Sequence, residues 1–229
     1  MTIAIRYSCV RRQGGNNPGE PEKQVIDYKA QQAALFPLLA TAYALLFTGN
    51  YMYSIYSKFR SRTDDTDFSD LPELHATSAG LKAVTTDVGN AQTTTTTTTT
   101  TKKKKKKKKK TTADGIETCR RYCGGHGYHR FSALPDLLMD YLPHVTGEGV
   151  NPVLCLQTAR YLVRQYQLFQ EGKQVPNKLA YFYTQSPPPI ASKESLLDPS
   201  IQVKIFEYQV WKKVQVASEV VSLAVKNGR

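Results

Sequence analysis

The chain has 229 residues, enough for one large domain or for one domain and part of another. Its net charge of +12 would suggest a nucleic-acid or membrane partner, but most of this charge comes from one block of the sequence. Nine of the 31 Lys and Arg residues form the block Lys102–Lys110, and the other 22 nearly balance 19 acidic residues. Four cysteines in a chain of this length do not form the disulfide framework of a small secreted protein, so we expect reduced thiols in an intracellular protein.

The chain opens with a short apolar-periodic segment, Thr2–Arg12, which predicts the end of a helix followed by a loop. Residues 22–60 then carry a long helical pattern, which Pro37 is expected to kink. The most apolar part, Ala33–Phe47, is shorter than the roughly 20 residues that a membrane crossing needs. We therefore interpret it as a buried core helix and expect no membrane span.

A third helix is predicted from Leu71 through Val84, before low-complexity sequence over residues 87–112 interrupts the pattern. This block contains runs of threonine, which is a poor helix former, and of lysines, which repel one another. We expect it to be a disordered insertion. The helical pattern resumes over Ala113–Tyr122, so the block is predicted to interrupt what would otherwise be one continuous helix.

The rest of the chain predicts helices over Leu137–Tyr141, Val153–Leu168 and Leu196–Lys226. The last helix is expected to bury one apolar face, formed by Ile205, Tyr208, Val216, Val220 and Leu223. Residues 171–195, rich in Pro, Lys, Gln and Ser, are expected to be a linker. No segment shows the sustained alternation of a strand, so the predicted fold is all-α.

Two short motifs contain candidate functional residues. The first places Gly124 and Gly125 at the end of a helical run, where the main chain can approach a flat or charged ligand closely. The second is Thr146-Gly147-Glu148-Gly149, in which Glu148 would suit a proton-abstracting base in a dry site. Either motif alone is weak evidence of function, so the pair has to be interpreted with the surrounding sequence.

With these elements placed, the sequence resembles the peroxisomal acyl-CoA oxidases of the acyl-CoA dehydrogenase superfamily. The similar phrases run in family order across residues 2–168. They are Ala4-Ile5-Arg6-Tyr7-Ser8, Val10-Arg11-Arg12-Gln13, Gln24-Val25-Ile26-Asp27-Tyr28, Leu35-Phe36-Pro37-Leu38-Leu39-Ala40, Leu71-Pro72-Glu73-Leu74-His75-Ala76, Ala79-Gly80-Leu81-Lys82, Cys123-Gly124-Gly125-His126-Gly127-Tyr128 and Leu156-Gln157-Thr158-Ala159-Arg160.

The resemblance implies a catalytic four-helix bundle over residues 1–170 and the first helix of a C-terminal helical domain over residues 196–229. We expect the chain to be truncated at both ends and to lack the family's N-terminal helical domain and β-domain. The resemblance also implies a peroxisomal location, although the C-terminal Lys-Asn-Gly-Arg is not a Ser-Lys-Leu-type address.

The resemblance further implies an FAD-dependent reaction. Glu148 would remove the α-proton of a fatty acyl-CoA while the β-hydrogen leaves as hydride to the flavin. Reoxidation by O2 would then give trans-2-enoyl-CoA and H2O2, completing a step of fatty-acid β-oxidation.

For the cofactor, the resemblance matches Arg11, Arg12 and Gln13 to residues that hold the pyrophosphate and adenine side of FAD. It matches Gly124 and Gly125 to main chain that passes close to FAD across the interface of a homodimer. Arginine suits a pyrophosphate because its planar guanidinium donates two parallel hydrogen bonds.

The sequence departs from the family pattern at four positions near these motifs. Gly14 replaces a Phe, Gly147 a Tyr, Val150 an acid and Pro152 a Thr. We expect Pro152 to remove a backbone donor beside the base and to stiffen its loop. We therefore expect this chain as written to bind FAD weakly and to lack turnover.

Other interpretations of the same residues stay open. Glu148 also fits a solvated loop acid. Cys119, Cys123, His126 and His129 resemble metal ligands, but zinc sites usually use closer cysteine pairs, so no metal is expected.

Alternative functions and roles also stay open. Arg120 and Arg121 fit a solvated helix end, with Arg121 also a candidate neighbour of the cofactor. The rival functions are sequence-blind nucleic-acid binding through Lys102–Lys110, which has no interleaved aromatic residues, and non-catalytic association with a full-length oxidase.

Overall fold

The computed structural model describes residues 1–15, 19–61, 68–86, 112–184, 186–190, 192 and 194–227. Within these ranges the chain forms α-helices, short 3₁₀ segments and no strand, so the predicted all-α fold is confirmed. The α-helices are α1 (Thr2–Val10), α2 (Lys29–Arg60), α3 (Leu71–Thr86), α4 (Thr112–Arg121), α5 (Leu134–Tyr141), α6 (Asn151–Gln170) and α7 (Pro199–Lys226).

The described chain divides into two compact units, Met1–Cys155 and Leu156–Arg229, with the boundary inside α6. In the first unit, α1, α2, α4 and α5 share one apolar core, and a smaller cluster joins α3 to the start of α6. The core side chains are Ala4, Leu35, Leu38, Cys119, Cys123 and Leu134, and the smaller cluster is Ala79, Ala83 and Leu154. Each fully buried leucine contributes about 1.5–3 kcal/mol to folding.

One buried polar side chain links three segments of this core. Gln31, near the start of α2, donates from Nε2 to Ser8 Oγ in α1 at 2.7 Å and to the Tyr122 carbonyl oxygen after α4 at 2.9 Å. Ser8 Oγ in turn donates to the Ala4 carbonyl oxygen at 2.7 Å. Because buried polar groups cost free energy unless they are hydrogen-bonded, these bonds fix α1 against the end of α4.

The low-complexity block lies outside the described residues except for Thr112, which begins α4 rather than ending an insertion. The two helix ends that flank the block meet. Thr112 Oγ1 donates to the Thr85 carbonyl oxygen, in the last turn of α3, at 3.0 Å. This contact supports the hypothesis that the block interrupts one helix.

The long helix α2 runs continuously through Pro37. The interpretation of Ala33–Phe47 as a buried core helix is correct only for its first turns. Leu35 is fully buried, whereas Tyr43 and Phe47 are 56% and 66% exposed. Within the described residues, α2 is the helix long and apolar enough to cross a membrane, a test that core helices of soluble proteins also pass.

The second unit contains an aromatic core built by α6, α7 and the 3₁₀ segment Asn177–Tyr183. Phe182 is fully buried, and its ring meets Tyr166 edge-on at a centroid distance of 5.7 Å. The predicted linker, residues 171–195, is therefore wrong for residues 175–182, because Val175, Leu179 and Phe182 bury apolar side chains in this core.

Helix α7 begins where its sequence favours a start. Asp198 accepts a hydrogen bond from the Ser200 N–H at 2.8 Å, and Pro199 occupies the first helical position, where its missing N–H costs nothing. The predicted apolar face is wrong in its C-terminal half. Trp211 and Val214 are buried, whereas Val216, like Val220 and Leu223, is exposed.

Candidate active site

The segment after α1 runs extended against the residues before α2. The Gln13 N–H donates to the Lys23 carbonyl oxygen at 2.9 Å, and the Val25 N–H donates to that of Arg11 at 2.8 Å. Tyr28 Oη also donates to the Gln13 carbonyl oxygen, at 2.7 Å. These bonds fix the main chain and leave the Arg11 and Gln13 side chains exposed.

Gly14, which departs from the expected Phe, is required by this backbone. Its φ of +73° lies in the left-handed region that favours glycine. A β-carbon here would also lie 2.9 Å from Tyr28 Oη. Glycine therefore suits this backbone, and a Phe at this position would be strained in it.

The turn that follows α4 uses its glycines in two ways. Gly124 has a φ of +56°, and a β-carbon there would lie 3.4 Å from Tyr7 Oη. A β-carbon on Gly125 would meet no atom within 4 Å, so its main chain is open to the surface. At Gly127, by contrast, a β-carbon would overlap the Arg120 carbonyl oxygen, because the turn packs directly onto α4.

An ion-pair cluster supports this turn. Arg120 donates to Glu117 at 2.7 Å, and its guanidinium lies 4.3 Å from the centre of the Tyr128 ring. Its side chain is only 15% exposed, so Arg120 is not the solvated helix end that was expected. Arg121 is 69% exposed and also bonds to Glu117 at 2.7 Å. The hydrogen bond from Arg120 holds the pKa of Glu117 below its ordinary value and raises the pKa of Arg120.

An open cleft of about 650 Å³ brings the segment after α1 and the turn after α4 together. Its lining residues are Arg6, Tyr7, Val10, Arg11, Arg12, Glu22 and His126. The rings of Tyr7 and His126 lie 5.6 Å apart, and Tyr7 Oη faces Gly124. Of the predicted cofactor residues, Arg11 lines the cleft and Gly124 borders it through Tyr7, while Gln13 and Gly125 are exposed outside the lining set.

The charge of the cleft fits an anionic ligand. Three arginines, Arg6, Arg11 and Arg12, line it together with one acidic residue, Glu22. Guanidinium groups bind phosphates through paired, charge-assisted hydrogen bonds. The arginines present therefore fit the diphosphate of a dinucleotide such as FAD.

Glu148 lies in the loop between the 3₁₀ segment Leu142–Val145 and α6, outside the residues that line the cleft. Its side chain is exposed, and its φ of +60° is left-handed, between Gly147 and Gly149. For a residue other than glycine this conformation costs about 1–2 kcal/mol. Such strain persists only where neighbouring structure enforces it, and it is concentrated at functional sites.

Lys82 of α3 holds this loop. Its Nζ donates to the Val145 carbonyl oxygen at 3.0 Å, to the Gly149 carbonyl oxygen at 2.6 Å and to Asn151 Oδ1 at 3.1 Å. No role for Lys82 is predicted from the sequence. The available signal was a single charge within an apolar helical stretch, Ala79–Val84.

Pro152 sits at the second position of α6. N–H groups in the first turn of a helix have no acceptor within the helix. The sequence predicts that Pro152 removes a backbone donor beside Glu148. Within α6, however, its missing N–H removes no hydrogen bond.

The cysteines of the first motif belong to the core. Cys119 and Cys123 are 2% and 1% exposed, and burial, with a smaller contribution from Cys119, raises the pKa of the Cys123 thiol. Across the described part of the chain, no three His, Cys, Asp or Glu side chains are placed to hold a metal ion.

Comparison with known proteins identifies the family. The family model of the acyl-CoA oxidase C-alpha1 domain matches residues 1–100 and 90–163. The chain is 46% identical over 180 residues to peroxisomal acyl-coenzyme A oxidase 1 of Cavia porcellus, covering 79% of this chain and 24% of that protein. It is 41% identical over 212 residues to peroxisomal acyl-coenzyme A oxidase 1 of Arabidopsis thaliana, covering 90% and 28%. The chain therefore belongs to the acyl-CoA oxidases, a family of oxidoreductases.

Solved structures agree with this assignment. An acyl-CoA oxidase from Lycopersicon esculentum (tomato) is 40% identical with a TM-score of 0.75, and the match covers 95% of this chain and 30% of that one. Acyl-CoA oxidase-1 of Caenorhabditis elegans, complexed with FAD and ATP, is 31% identical with a TM-score of 0.77, covering 99% and 31%. The chain thus spans about a quarter (24%) of the length of the Cavia porcellus relative.

Proposed function

We propose that this chain forms the part of an FAD-dependent acyl-CoA oxidase that carries the catalytic base and one side of the flavin site. The reaction converts acyl-CoA and O2 to trans-2-enoyl-CoA and H2O2 in fatty-acid β-oxidation. The observation that carries the proposal is the arginine-rich cleft lined by α1, the segment after it and His126 of the turn after α4. The names of the relatives favour the peroxisome as its location.

In this proposal FAD, when bound, supplies the two-electron acceptor. Arg11 and Arg12 bind its diphosphate, and the exposed Gln13 amide faces the adenine side. Gly124 and Gly125 let the main chain approach the cofactor closely, because neither places a side chain over it.

Glu148 is the proposed general base. Its exposed carboxylate accepts the α-proton of the thioester, and a positioned base of this kind contributes about 10²–10⁴-fold to the rate. The Glu148 main-chain N–H donates to the thioester oxygen as negative charge develops there, which lowers the barrier to proton removal.

The role of Glu148 is tested by anaerobic reduction of bound flavin by acyl-CoA, in the full protein that the cell produces. The loss of the yellow flavin absorbance measures the rate. Glu148→Gln should slow this bleaching by about 10²–10⁴-fold. Glu219→Gln, on the exposed side of α7, removes the same charge and should leave the rate unchanged. Equal bleaching rates in the two variants would remove Glu148 from the mechanism.

The cofactor part has a separate test. Arg11→Ala should weaken FAD binding, measured by quenching of flavin fluorescence, while Arg60→Ala at the end of α2 should not. Because the cleft is open, we propose that residues 1–229 alone bind FAD weakly and do not turn over acyl-CoA.

We also propose that the complete enzyme is a homodimer. The support is the exposed aromatic surface of α2, where Tyr43, Phe47 and Tyr53 are 56%, 66% and 72% exposed. Exposed apolar patches of this kind commonly mark protein interfaces. Phe47→Glu should shift the mass measured by light scattering toward the monomer. If this chain co-purifies with a full-length oxidase and has no activity of its own, the alternative that it is a non-catalytic partner of that oxidase would be favoured instead.

A further inference from the structure

We propose that Lys82 is a positioning residue, which holds the Glu148 loop in its left-handed conformation; this inference rests on the proposed role of Glu148 as the base. An ammonium group has three donors. All three are used on acceptors that flank Glu148 on both sides: Val145 just before the loop, Gly149 within it, and Asn151 at the start of α6.

The choice of acceptors separates this arrangement from an ordinary ion pair. Two are main-chain carbonyl oxygens and the third is a neutral side-chain amide, so the hydrogen bonds fix the course of the backbone. Hydrogen bonds from a charged donor are roughly twice as strong as neutral ones. They therefore supply the restraint that a strained residue at position 148 needs.

The hydrogen bonds from Lys82 to the Glu148 loop are called the clamp below. The part of α3 that carries Lys82 is itself fixed by packing. Ala79 and Ala83, on either side of Lys82 in α3, pack against Leu154 of α6. Thr86 Oγ1 donates to the Lys82 carbonyl oxygen at 2.7 Å and lies 3.2 Å from Asn151 Oδ1. The ammonium thus spans from a fixed helix to the loop, and loss of its donors should loosen residues 146–149 before the helices separate.

The first measurement is amide hydrogen exchange in the full protein. Lys82→Met keeps an unbranched side chain one atom shorter than lysine and removes its donors, so exchange at residues 146–149 should rise about tenfold or more, as expected for local opening. Amides of the α2 core near Leu35 should change far less. Lys58→Met, on the exposed end of α2, is the matched charge control and should change neither region.

The second measurement separates positioning from binding. A small misplacement of a reacting group costs up to about 100-fold in rate. Lys82→Met should lower the limiting rate of flavin bleaching by about 10–100-fold and leave the half-saturating acyl-CoA concentration within about twofold. If Lys82→Met does not fold, Asn151→Ala removes one of the three acceptors and should give a smaller effect of the same kind.

The outcomes distinguish this inference from the proposed function. Unchanged exchange and bleaching in Lys82→Met, with bleaching abolished in Glu148→Gln, would overturn the clamp and leave the base in place. Faster exchange at residues 146–149, with bleaching unaffected by Glu148→Gln, would overturn the base and leave only the clamp. A rise in exchange as large near Leu35 as at residues 146–149 would also overturn the clamp, because Lys82 would then support the whole fold.

Discussion

Gln31 Nε2 lies 2.7 Å from Ser8 Oγ, and this hydrogen bond joins α2 to the helix that leads into Arg11. The same nitrogen lies 2.9 Å from the Tyr122 carbonyl oxygen, just before the Gly-Gly turn. One buried amide therefore links the two segments that form the cleft. The proposed flavin site depends on this link although Gln31 does not line the cleft.

Gln31→Leu should destabilise the first unit by about 1–3 kcal/mol, because a buried acceptor loses its donor. The measurement is unfolding by urea, followed by circular dichroism. Gln32→Leu, at the neighbouring and less buried position, should change stability by less than about 0.5 kcal/mol. Equal losses in the two variants would show that the Gln31 hydrogen bonds contribute little.

Gly127→Ala should be far more destabilising than Gly125→Ala. A β-carbon at 127 overlaps the Arg120 carbonyl oxygen, and main chain cannot move aside as a flexible side chain can. The expected cost is about 3 kcal/mol or more, against less than about 1 kcal/mol at the open position 125. Thermal unfolding of the two variants tests this, and a similar midpoint for both would contradict the observed packing of the turn.

Helical periodicity was sufficient to predict the helices but not their partners. It predicted α6 and α7 and failed on which face of α7 is buried, because this long helix carries apolar residues on more than one side. Trp211 and Val214 are buried, whereas Val216 is not. Composition likewise suggested a linker over residues 171–195, although Phe182 within it is fully buried.

The candidate site was predictable only where residue type carries the chemistry. Arginines beside glycines, and a single acid between glycines, indicated Arg11, Gly124 and Glu148. The residues that hold these groups in place, Gln31 and Lys82, act through hydrogen bonds between positions far apart in sequence, such as Lys82 to Gly149. No local pattern records such a pairing.

Deleting residues 87–111 should stabilise the first unit. Thr112 Oγ1 already reaches the Thr85 carbonyl oxygen at 3.0 Å, so α3 and α4 can join with little rearrangement. Removing a connection of about 25 residues should gain about 2–3 kcal/mol in closure entropy. Urea unfolding and helix content measure the effect. The deletion should also abolish DNA binding due to the lysine block, and specific binding that requires this block would favour the nucleic-acid alternative.

The Glu117–Arg120 pair should make stability depend on pH in acid. The pKa of Glu117 is lowered from 4.5, chiefly by its hydrogen bond with Arg120. The folded state therefore binds fewer protons than the unfolded state below that value, and the pair's contribution is present above pH 4.5 and lost as the pH falls. Urea unfolding from pH 6 to pH 3 should show a smaller decline in Glu117→Gln than in Glu219→Gln, and parallel curves would contradict the pairing.

Glu148→Gly should stabilise the protein while it abolishes flavin reduction. The left-handed conformation costs a residue other than glycine about 1–2 kcal/mol. Part of this gain is offset by the greater freedom of glycine in the unfolded chain, so the net stabilisation should be about 0.5–1 kcal/mol. Ala133, with a φ of +57°, is the matched position without proposed chemistry. Ala133→Gly should stabilise similarly and leave flavin bleaching intact.

A loss of stability in Glu148→Gly alone would mean that the carboxylate supports the loop. A gain in stability with loss of bleaching would mean that the protein maintains a strained residue for its chemistry.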